Sequence, residues 1–303
     1  MKSLARLGTR LGDNLVGALV GFLFGLMRRF EPERASDLAG GVMRRLGPWL
    51  PVHRLGRRNL RAAFPERDTA WIEATLRECW ENIGRVAGEY VHLARIWDYD
   101  PDNPDPNGRI VTDEAGVRLF LDLAEDGKPA LAFASHLANW ELPAVAAAAH
   151  GLEAAVVYRM PNNRAVAAQI TRIRQGLMGR LIRSRREAVF EMAAALERGE
   201  HLGMLVDQHW SRGVDITFFG RRCKANPTLT RLARQFDCPV VGVRAIRFDK
   251  HRFRLQGVGP LDLPRDADGT IDVPAATQMI NGIVEGWIRE HPEQWLWFHR
   301  RWR

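Results

Sequence analysis

The sequence predicts an α/β protein in which a mostly parallel central sheet is flanked by helices and preceded by a helical N-terminal extension. After residue 108, short apolar runs alternate with helical stretches, which is the pattern of β-α units around a parallel sheet. Before residue 98, apolar residues recur at helical spacing. The segment from Asp98 to Gly108 separates the two parts, because three prolines and four aspartates prevent regular structure there.

The first thirty residues raise the question of membrane attachment. Residues 15–27 contain no polar side chain and have arginines on both sides. Thirteen helical residues rise about 20 Å, which is short of the roughly 30 Å hydrocarbon core. We therefore expect residues 1–30 to form a monotopic or barely spanning membrane anchor, with a buried core helix as the alternative. Gly17, Gly21 and Gly25 share one face of this helix, which permits close contact with another helix.

The remaining elements follow from apolar spacing and helix start signals. Residues 31–107 are expected to form a helical region, with helices at Pro32–Leu46 and Asp68–Trp97. Residues 108–303 are expected to form the α/β catalytic domain. Its predicted strands are Ala130–Ala134, Ala154–Tyr158, Leu202–Val206, Ile216–Phe219 and Val240–Ile246. Its predicted helices are Glu141–Ala149, Arg164–Leu181, Glu187–Glu197, one that starts at Asn226-Pro227, and Ala275–Glu290.

Composition excludes several classes of protein. A chain of 303 residues with 46% hydrophobic residues is globular, so disordered and fibrous proteins are excluded. The net charge is +8, and only four of the 44 basic residues are lysines, which fits either phosphorylated or acidic partners or a GC-rich genome. The three cysteines show no disulfide or zinc spacing, which favours reduced thiols and a cytoplasmic location for most of the chain.

The segment from Ala134 to Pro143 carries the clearest chemical signal. A predicted strand ends at Ser135, His136 follows at its carboxyl edge, and Glu141 lies in the first turn of the next helix. Parallel sheets bind ligands at this edge. We expect Glu141 to accept a hydrogen bond from Nδ1–H of His136, which would leave Nε2 as a general base.

No side-chain nucleophile accompanies this pair in the sequence. The chain has five serines, none of them in a G-x-S-x-G elbow, and no cysteine near His136. Direct attack by a substrate hydroxyl is therefore favoured over a covalent acyl-enzyme. Asp207 and His209 could form two ligands of a metal, but two ligands do not make a site, so no metal and no cofactor is expected.

Three further segments are candidates for substrate contacts. Arg159 ends the apolar run after that of His136, so we expect it beside His136, where it would neutralise a thioester oxyanion or a phosphate. The alternative for Arg159 is a surface salt bridge. Between Arg164 and Arg186 there are seven arginines and no acid, a pattern that is either a solvated face or a surface for anionic lipid or an acidic carrier protein. The tail after Pro292 combines three tryptophans and three arginines, which suits a membrane interface or the closing of the core. No nucleic-acid-binding motif is present.

Taken together, these segments resemble the late acyltransferases of lipid A assembly, the lauroyl and myristoyl transferases. The resemblance covers nearly the whole chain, and its most specific parts are the block from Arg58 to Glu66 and the closing block from Pro292 to Trp302. The other matching motifs are the N-terminal apolar segment, His136 with Asn139, Trp140 and Glu141, Tyr158-Arg159, Asp207-Gln208, Gly213-Val214 and Phe218-Phe219-Gly220.

The resemblance implies a glycerolphosphate-acyltransferase-like fold with a catalytic dyad at His136 and Glu141 and a functional arginine at Arg159. It also implies transfer of a fatty acyl group from acyl carrier protein to a hydroxyl of a phosphorylated glycolipid, the lipid A precursor, at the cytoplasmic face of the inner membrane. We expect substrate contacts from Asn139, Trp140, Asp207, Gln208 and Arg164.

Two departures leave donor or acceptor choice open. Met160 separates Arg159 from Pro161, and His209-Trp210 stands where the family has an acidic and an aromatic residue. Two alternatives also stay open. One is acyl transfer to another lipid hydroxyl, that of a phosphatidylinositol mannoside, an ornithine lipid or a lysophospholipid. The other is a non-catalytic protein that binds anionic lipid.

Overall fold

A computed structural model describes residues 2–161, 163–185 and 187–303, with side chains from Asp13 onward. Arg186, the last of the seven clustered arginines, lies outside the described residues, as do the side chains of Arg6 and Arg10. The three cysteines are free and buried, as the sequence predicts.

Among residues 2–97, every regular element is a helix. These helices are α1 (Lys2–Met27), α2 (Pro32–Leu46), α3 (His53–Ala63), α4 (Thr69–Glu89) and α5 (Leu93–Ile96), with short 3-10 helices at Gly47–Trp49 and Tyr90–His92. The bounds predicted for α2 are confirmed. The helix predicted over Asp68–Trp97 begins correctly, since Asp68 caps it by accepting a bond from Trp71 N at 2.7 Å. It ends at Glu89 instead of continuing.

Beyond residue 109, strands and helices alternate as expected. The strands are β1 (Ile110–Thr112), β2 (Leu131–Ala134), β3 (Ala154–Tyr158), β4 (Arg180–Arg183), β5 (His201–Leu205), β6 (His209–Phe218), β7 (Arg221–Ala225), β8 (Val240–Asp249) and β9 (Arg252–Val258). The helices are α6 (Glu114–Glu125), α7 (Leu142–Ala149), α8 (Arg164–Gln175), α9 (Ala188–Glu197), α10 (Thr228–Phe236) and α11 (Val273–Glu290), followed by a 3-10 helix at Pro292–Gln294.

Seven strands form the central sheet in the order β1-β9-β8-β2-β5-β3-β4. Among the strand pairs of this sheet that the structure describes, only β8–β9 is antiparallel, so the predicted mostly parallel sheet is confirmed. Strands β6 and β7 form a separate antiparallel hairpin. In the centre, Ala134 of β2 pairs with Leu205 of β5, so the residues that follow these two strands meet at the same edge.

The helix predicted over Arg164–Leu181 is wrong in its last third. Helix α8 ends at Gln175, and Gly179 adopts a left-handed conformation with φ of 68°. Glycine tolerates this conformation, so the chain turns there and enters β4, an edge strand that pairs with β3. Helical spacing of the arginines did not distinguish a continuous helix from a helix followed by a strand.

One face of α1 packs on α8. Gly17 lies against Ala165, and Gln169 Nε2 donates to the carbonyl oxygen of Gly17 at 2.9 Å. The opposite face leaves Leu15, Leu19 and Phe22 exposed. Among the described residues, no helix has both the length and the continuous apolarity that crossing a bilayer requires.

The C-terminal block closes the core. Trp295, Trp297 and Trp302 are buried, and Trp297 packs against Phe64 of the Arg58–Glu66 block with ring centroids 6.0 Å apart. Asn59 from the same block donates to the carbonyl oxygens of Trp297 and His299 at 2.9 and 2.8 Å. Of the two interpretations of the tail, the structure therefore shows core closure, and the two most specific sequence blocks contact each other.

Candidate active site

The carboxyl ends of β2 and β5 bring His136 and Asp207 together. Nδ1 of His136 lies 2.8 Å from Oδ1 of Asp207, and the backbone N–H of His136 donates to Oδ2 of the same carboxylate at 2.7 Å. The two residues are 71 positions apart in the chain but follow paired strands. A carboxylate at this distance holds the proton on Nδ1, so the neutral ring presents Nε2 as the basic nitrogen.

Asp207 is completely buried and fully hydrogen-bonded. In addition to the two bonds from His136, Trp295 Nε1 donates to its Oδ2 at 2.7 Å. Burial alone would raise the pKa of Asp207, but the His136 ring and the His136 backbone N–H outweigh it and lower the pKa far below its usual range. Asp207 was expected to contact substrate, but its burial leaves it no surface for such a contact.

The same pair controls the protonation of His136. Burial of the ring opposes its protonation, yet the neighbouring Asp207 carboxylate outweighs burial and raises the pKa of His136 above its ordinary value of 6.5. Near Nε2, the amide nitrogen of Gln208 lies 3.4 Å away. Gln208 is therefore the predicted substrate-contacting residue that stands at the reactive nitrogen.

The expected hydrogen bond between Glu141 and His136 is wrong. Glu141 instead pairs with Arg174 of α8 through two contacts, Nη2–Oε1 at 2.5 Å and Nε–Oε2 at 3.1 Å. It also accepts a bond from Trp140 Nε1 at 3.1 Å. Glu141 lies at the start of α7, where its partner is the guanidinium of Arg174 from α8. The acid that contacts His136 is Asp207, which follows β5. The charge of Glu141 still favours protonation of His136.

A third buried carboxylate, Glu89, supports the loop that carries His136. Glu89, at the end of α4, accepts bonds from Asn139 Nδ2 at 2.9 Å, from Ser36 Oγ at 2.7 Å and from Arg247 at 2.7 and 2.9 Å. The loop is held further where Asn82 donates to the carbonyl oxygen of Ala138, whose φ is 46°. Asn139 is completely buried, so it positions the loop in this structure.

Comparison with known proteins agrees with this arrangement. Residues 15–303 match the family model described as bacterial lipid A biosynthesis acyltransferase. The chain belongs to this family. No curated protein matches the chain. The resemblance inferred from the sequence motifs is thus confirmed, and the family assigns acyl transfer in lipid A biosynthesis as the coarse activity.

Two arginines of this lipid A acyltransferase family member, Arg159 and Arg164, were expected to serve the site. Arg159 follows β3, but β5 separates β3 from β2, so the expectation that Arg159 neighbours His136 along the sheet is wrong. Its side chain is exposed, and so is that of Arg164 at the start of α8. Within the described part of the chain, neither side chain hydrogen-bonds to His136 or Glu141. Their roles in catalysis and substrate binding stay predictions.

The arginine-rich segment is partly neutralised by acids from other elements. Arg174 pairs with Glu141, Arg180 with Glu200 and Arg185 with Glu191. Arg164, Arg172 and Arg183 are exposed and have no acidic group within 4 Å among the described residues. The described part of the segment, without Arg186, therefore presents three uncompensated guanidinium groups.

Sequence reasoning missed three residues that build the site. Arg174 was counted among the cluster but not recognised as the partner of Glu141, and Trp295 was not connected with Asp207. Glu89 was overlooked because its helix follows an ordinary amphipathic pattern. The sequence did place Asp207 at the end of a predicted strand, and therefore at the edge of the sheet that carries His136. It did not show that Asp207 contacts His136.

Proposed function

We propose that this protein transfers a fatty acyl group from the thioester of acyl carrier protein to a hydroxyl of a lipid A precursor, at the cytoplasmic face of the inner membrane. One observation carries the proposal beyond the family assignment. His136 Nδ1 is bonded to the buried Asp207 carboxylate at 2.8 Å, which makes Nε2 the available base at the carboxyl edge of the sheet.

In the proposed reaction, Nε2 of His136 accepts the proton of the acceptor hydroxyl while its oxygen attacks the thioester carbon. The C–S bond then breaks, and the proton on Nε2 passes to the departing thiolate of the carrier. The Asp207 carboxylate stabilises the intervening imidazolium. Direct transfer is supported by the surroundings of His136. The described hydrogen-bond partners of its ring are Asp207 and Gln208, neither of which carries a hydroxyl or a thiol.

We assign supporting roles to the neighbouring residues. Gln208, next to Nε2, would hold the acceptor hydroxyl, and the flexible side chain of Arg159 would reach the oxyanion or a phosphate. Trp140, whose ring centroid lies 5.3 Å from that of His136, would form one wall for substrate. Glu141, fixed by Arg174, would act as a second charge that favours the imidazolium instead of as the direct partner in a dyad.

The surface offers contacts for both substrates. The exposed Arg164, Arg172 and Arg183 would meet the acidic carrier protein. The exposed apolar face of α1, with Leu15, Leu19 and Phe22, would lie in the membrane interface, where the glycolipid acceptor resides.

The test is mass spectrometry of lipids after incubation with acyl carrier protein thioesters and a panel of lipid acceptors. The native protein should add one acyl mass to a lipid A precursor, and His136→Ala should lower the rate by at least about 10³-fold. The control is His150→Gln, at the far end of α7, which should keep the native rate.

Two outcomes would contradict the proposal. A His136→Ala variant at wild-type rate would show that the base is wrong. Acylation of another panel lipid, such as a lysophospholipid, without acylation of the lipid A precursor would show that the acceptor is wrong.

A further inference from the structure

A second feature with ligand-binding character lies outside the catalytic centre. A cavity of about 600 Å³ opens between α2 and α4, beside the turn that joins β8 to β9. None of the residues that contact His136 lines it. Five basic side chains and two acidic ones form much of its wall: Arg44, Arg45, Arg77, Arg85, Lys250, Asp37 and Glu81.

Both acids are already occupied by ion pairs. Glu81 accepts from Arg44 at 2.8 Å and from Arg85 at 2.7 Å. Asp37 accepts from Arg85 at 2.8 Å and lies 3.3 Å from Nε2 of His251. The pKa values of Glu81 and Asp37 are lowered by these partners, although burial opposes the shift. Both acids are therefore charged and satisfied at neutral pH.

Three cations of the cavity are not compensated. Arg45, Arg77 and Lys250 are exposed, and within the described ranges no acidic group lies within 4 Å of their charged side-chain nitrogens. The only described hydrogen bond of the Arg45 side chain goes to the carbonyl oxygen of Gly41 at 3.1 Å. Three uncompensated cations around one concave surface favour an anion with several oxygens, and guanidinium groups match phosphate in particular.

An exposed apolar row borders this cavity. Leu38, Val42 and Leu46 follow one another at intervals of four along α2 and are each about half exposed. Trp49 continues the row in the next turn with 87% of its surface exposed, and it also lines the cavity. We call these four residues the α2 stripe. Continuous apolar surface of this kind marks an interaction site.

We infer that this cavity binds the phosphate group of an anionic lipid while the α2 stripe lies in the membrane interface. The two features are adjacent, and the combination of apolar side chains, an interfacial tryptophan and basic residues is what a bilayer surface with anionic headgroups favours. A soluble phosphate compound would satisfy the cations but leave the stripe uncovered. Lipid binding at this cavity is independent of acyl transfer, because no residue of the proposed reaction lines the cavity.

The position of the cavity gives the binding site a structural connection to the catalytic loop. Helix α4 presents Glu81 and Arg85 to the cavity, while its Asn82 and Glu89 bond to Ala138 and Asn139. A lipid held at the cavity would therefore fix the helix that supports the loop of His136. The site thus orients the catalytic edge relative to the membrane.

The first experiment measures binding of the full chain to phosphatidylcholine vesicles with and without phosphatidic acid. The ratio of the two affinities isolates the charge-dependent part, since the apolar face of α1 contributes to both. The triple variant Arg45→Gln, Arg77→Gln and Lys250→Gln should lower this ratio by at least about tenfold. An unchanged ratio would overturn the inference.

A matched control removes the same charges at the opposite edge of the sheet. Lys128 precedes β2, and Arg231 and Arg234 lie on α10, just before β8, whereas Lys250 follows the far end of β8. All three are exposed. The variant Lys128→Gln, Arg231→Gln and Arg234→Gln should keep the native ratio. An equal loss in both triple variants would show that only net charge matters and would overturn a specific site.

The second experiment separates a lipid headgroup from a free phosphate. Trp49→Ala should weaken binding to both kinds of vesicle by about tenfold, whereas Phe190→Ala, at another exposed aromatic residue, should not. Glycerol phosphate, at the concentration of vesicle phosphate, should not displace the protein. Displacement by glycerol phosphate together with no effect of Trp49→Ala would show a soluble ligand and overturn the lipid assignment.

Discussion

Two buried carboxylates act on His136, and they are held by different parts of the molecule. Asp207 bonds to the imidazole itself and to Trp295, so it is fixed by the sheet and by the aromatic C-terminal core. Glu141 bonds to Arg174, so it is fixed by α8, the helix on which α1 packs. We call the part of the site around Asp207 its core side and the part around Glu141 its helical side.

This difference separates two functions that the motif H-x4-E alone would assign to one residue. The acid that contacts Nδ1 determines the tautomer and most of the raised pKa of His136, while the acid paired with arginine contributes charge from a greater distance. Pairing of β2 with β5 places Asp207 beside His136. Contact between α7 and α8 places Glu141 beside Arg174. Substitutions at the two acids should therefore have different consequences.

The largest effect is expected for Asp207→Asn. The variant keeps the shape of the side chain but removes the charge and allows the wrong imidazole tautomer, so kcat should fall by about 10³–10⁴-fold. The carboxylate raises the pKa of His136, and the base must be unprotonated to act. The acid limb of kcat/KM should therefore lie above pH 6.5 in the native protein and move to lower pH in the variant.

Glu141→Gln is the matched control for that measurement, since it neutralises the other buried carboxylate. It should move the acid limb in the same direction but by less, because it acts on His136 only through charge. Equal shifts in the two variants, or a larger one for Glu141→Gln, would contradict the division of roles.

Glu141→Gln should have its main effect on stability. It leaves the guanidinium of Arg174 largely buried without its partner, at a cost of roughly 3–5 kcal/mol in the free energy of unfolding. Adding Arg174→Met removes the uncompensated charge and should recover most of the loss. Thermal unfolding of the two single variants and the double variant checks this, and additive losses would show that the two residues are not coupled.

A smaller effect is expected where the core meets the site. Trp295→Phe keeps a ring in the aromatic cluster but removes the bond to Asp207, with a cost of roughly 1.5–3 kcal/mol for a bond to a charged group. Trp297→Phe is its control, because Trp297 Nε1 donates to the neutral carbonyl oxygen of Pro292. Denaturation should show the larger loss for Trp295→Phe, and kcat should fall only in that variant. Loss of activity in both variants would point to general damage to the core.

The sequence predicted where helices and strands lie better than it predicted which of them are adjacent in the fold. Residues 154–158 form the predicted strand exactly as bounded, because a buried strand shows itself by a short apolar run between turns. The order of the sheet is not a local property. Insertion of β5 between β2 and β3 brings Asp207 to His136 and removes Arg159 from its side. Arg174 was hidden for the same reason, since the spacing of arginines shows a basic face but not which one meets a buried acid.

The smallest effect is expected for a substitution at the contact between α1 and α8, which covers the helical side of the site. A Cβ atom at Gly17 would lie 2.2 Å from Cβ of Ala165, whereas at Gly25 nothing lies within 4 Å. Gly17→Ala should therefore push α1 away from α8. Overpacking of this kind lowers the free energy of unfolding by about 1–3 kcal/mol, so the thermal unfolding midpoint should fall by a few degrees. Gly25→Ala should leave the midpoint unchanged or raise it, since alanine favours the helix by up to about 1 kcal/mol. If the contact matters only to the helical side, the pH profile should stay native in both variants. A shift of the acid limb in Gly17→Ala would instead show that the position of α1 affects the pKa of His136, through α8 and the Arg174–Glu141 pair.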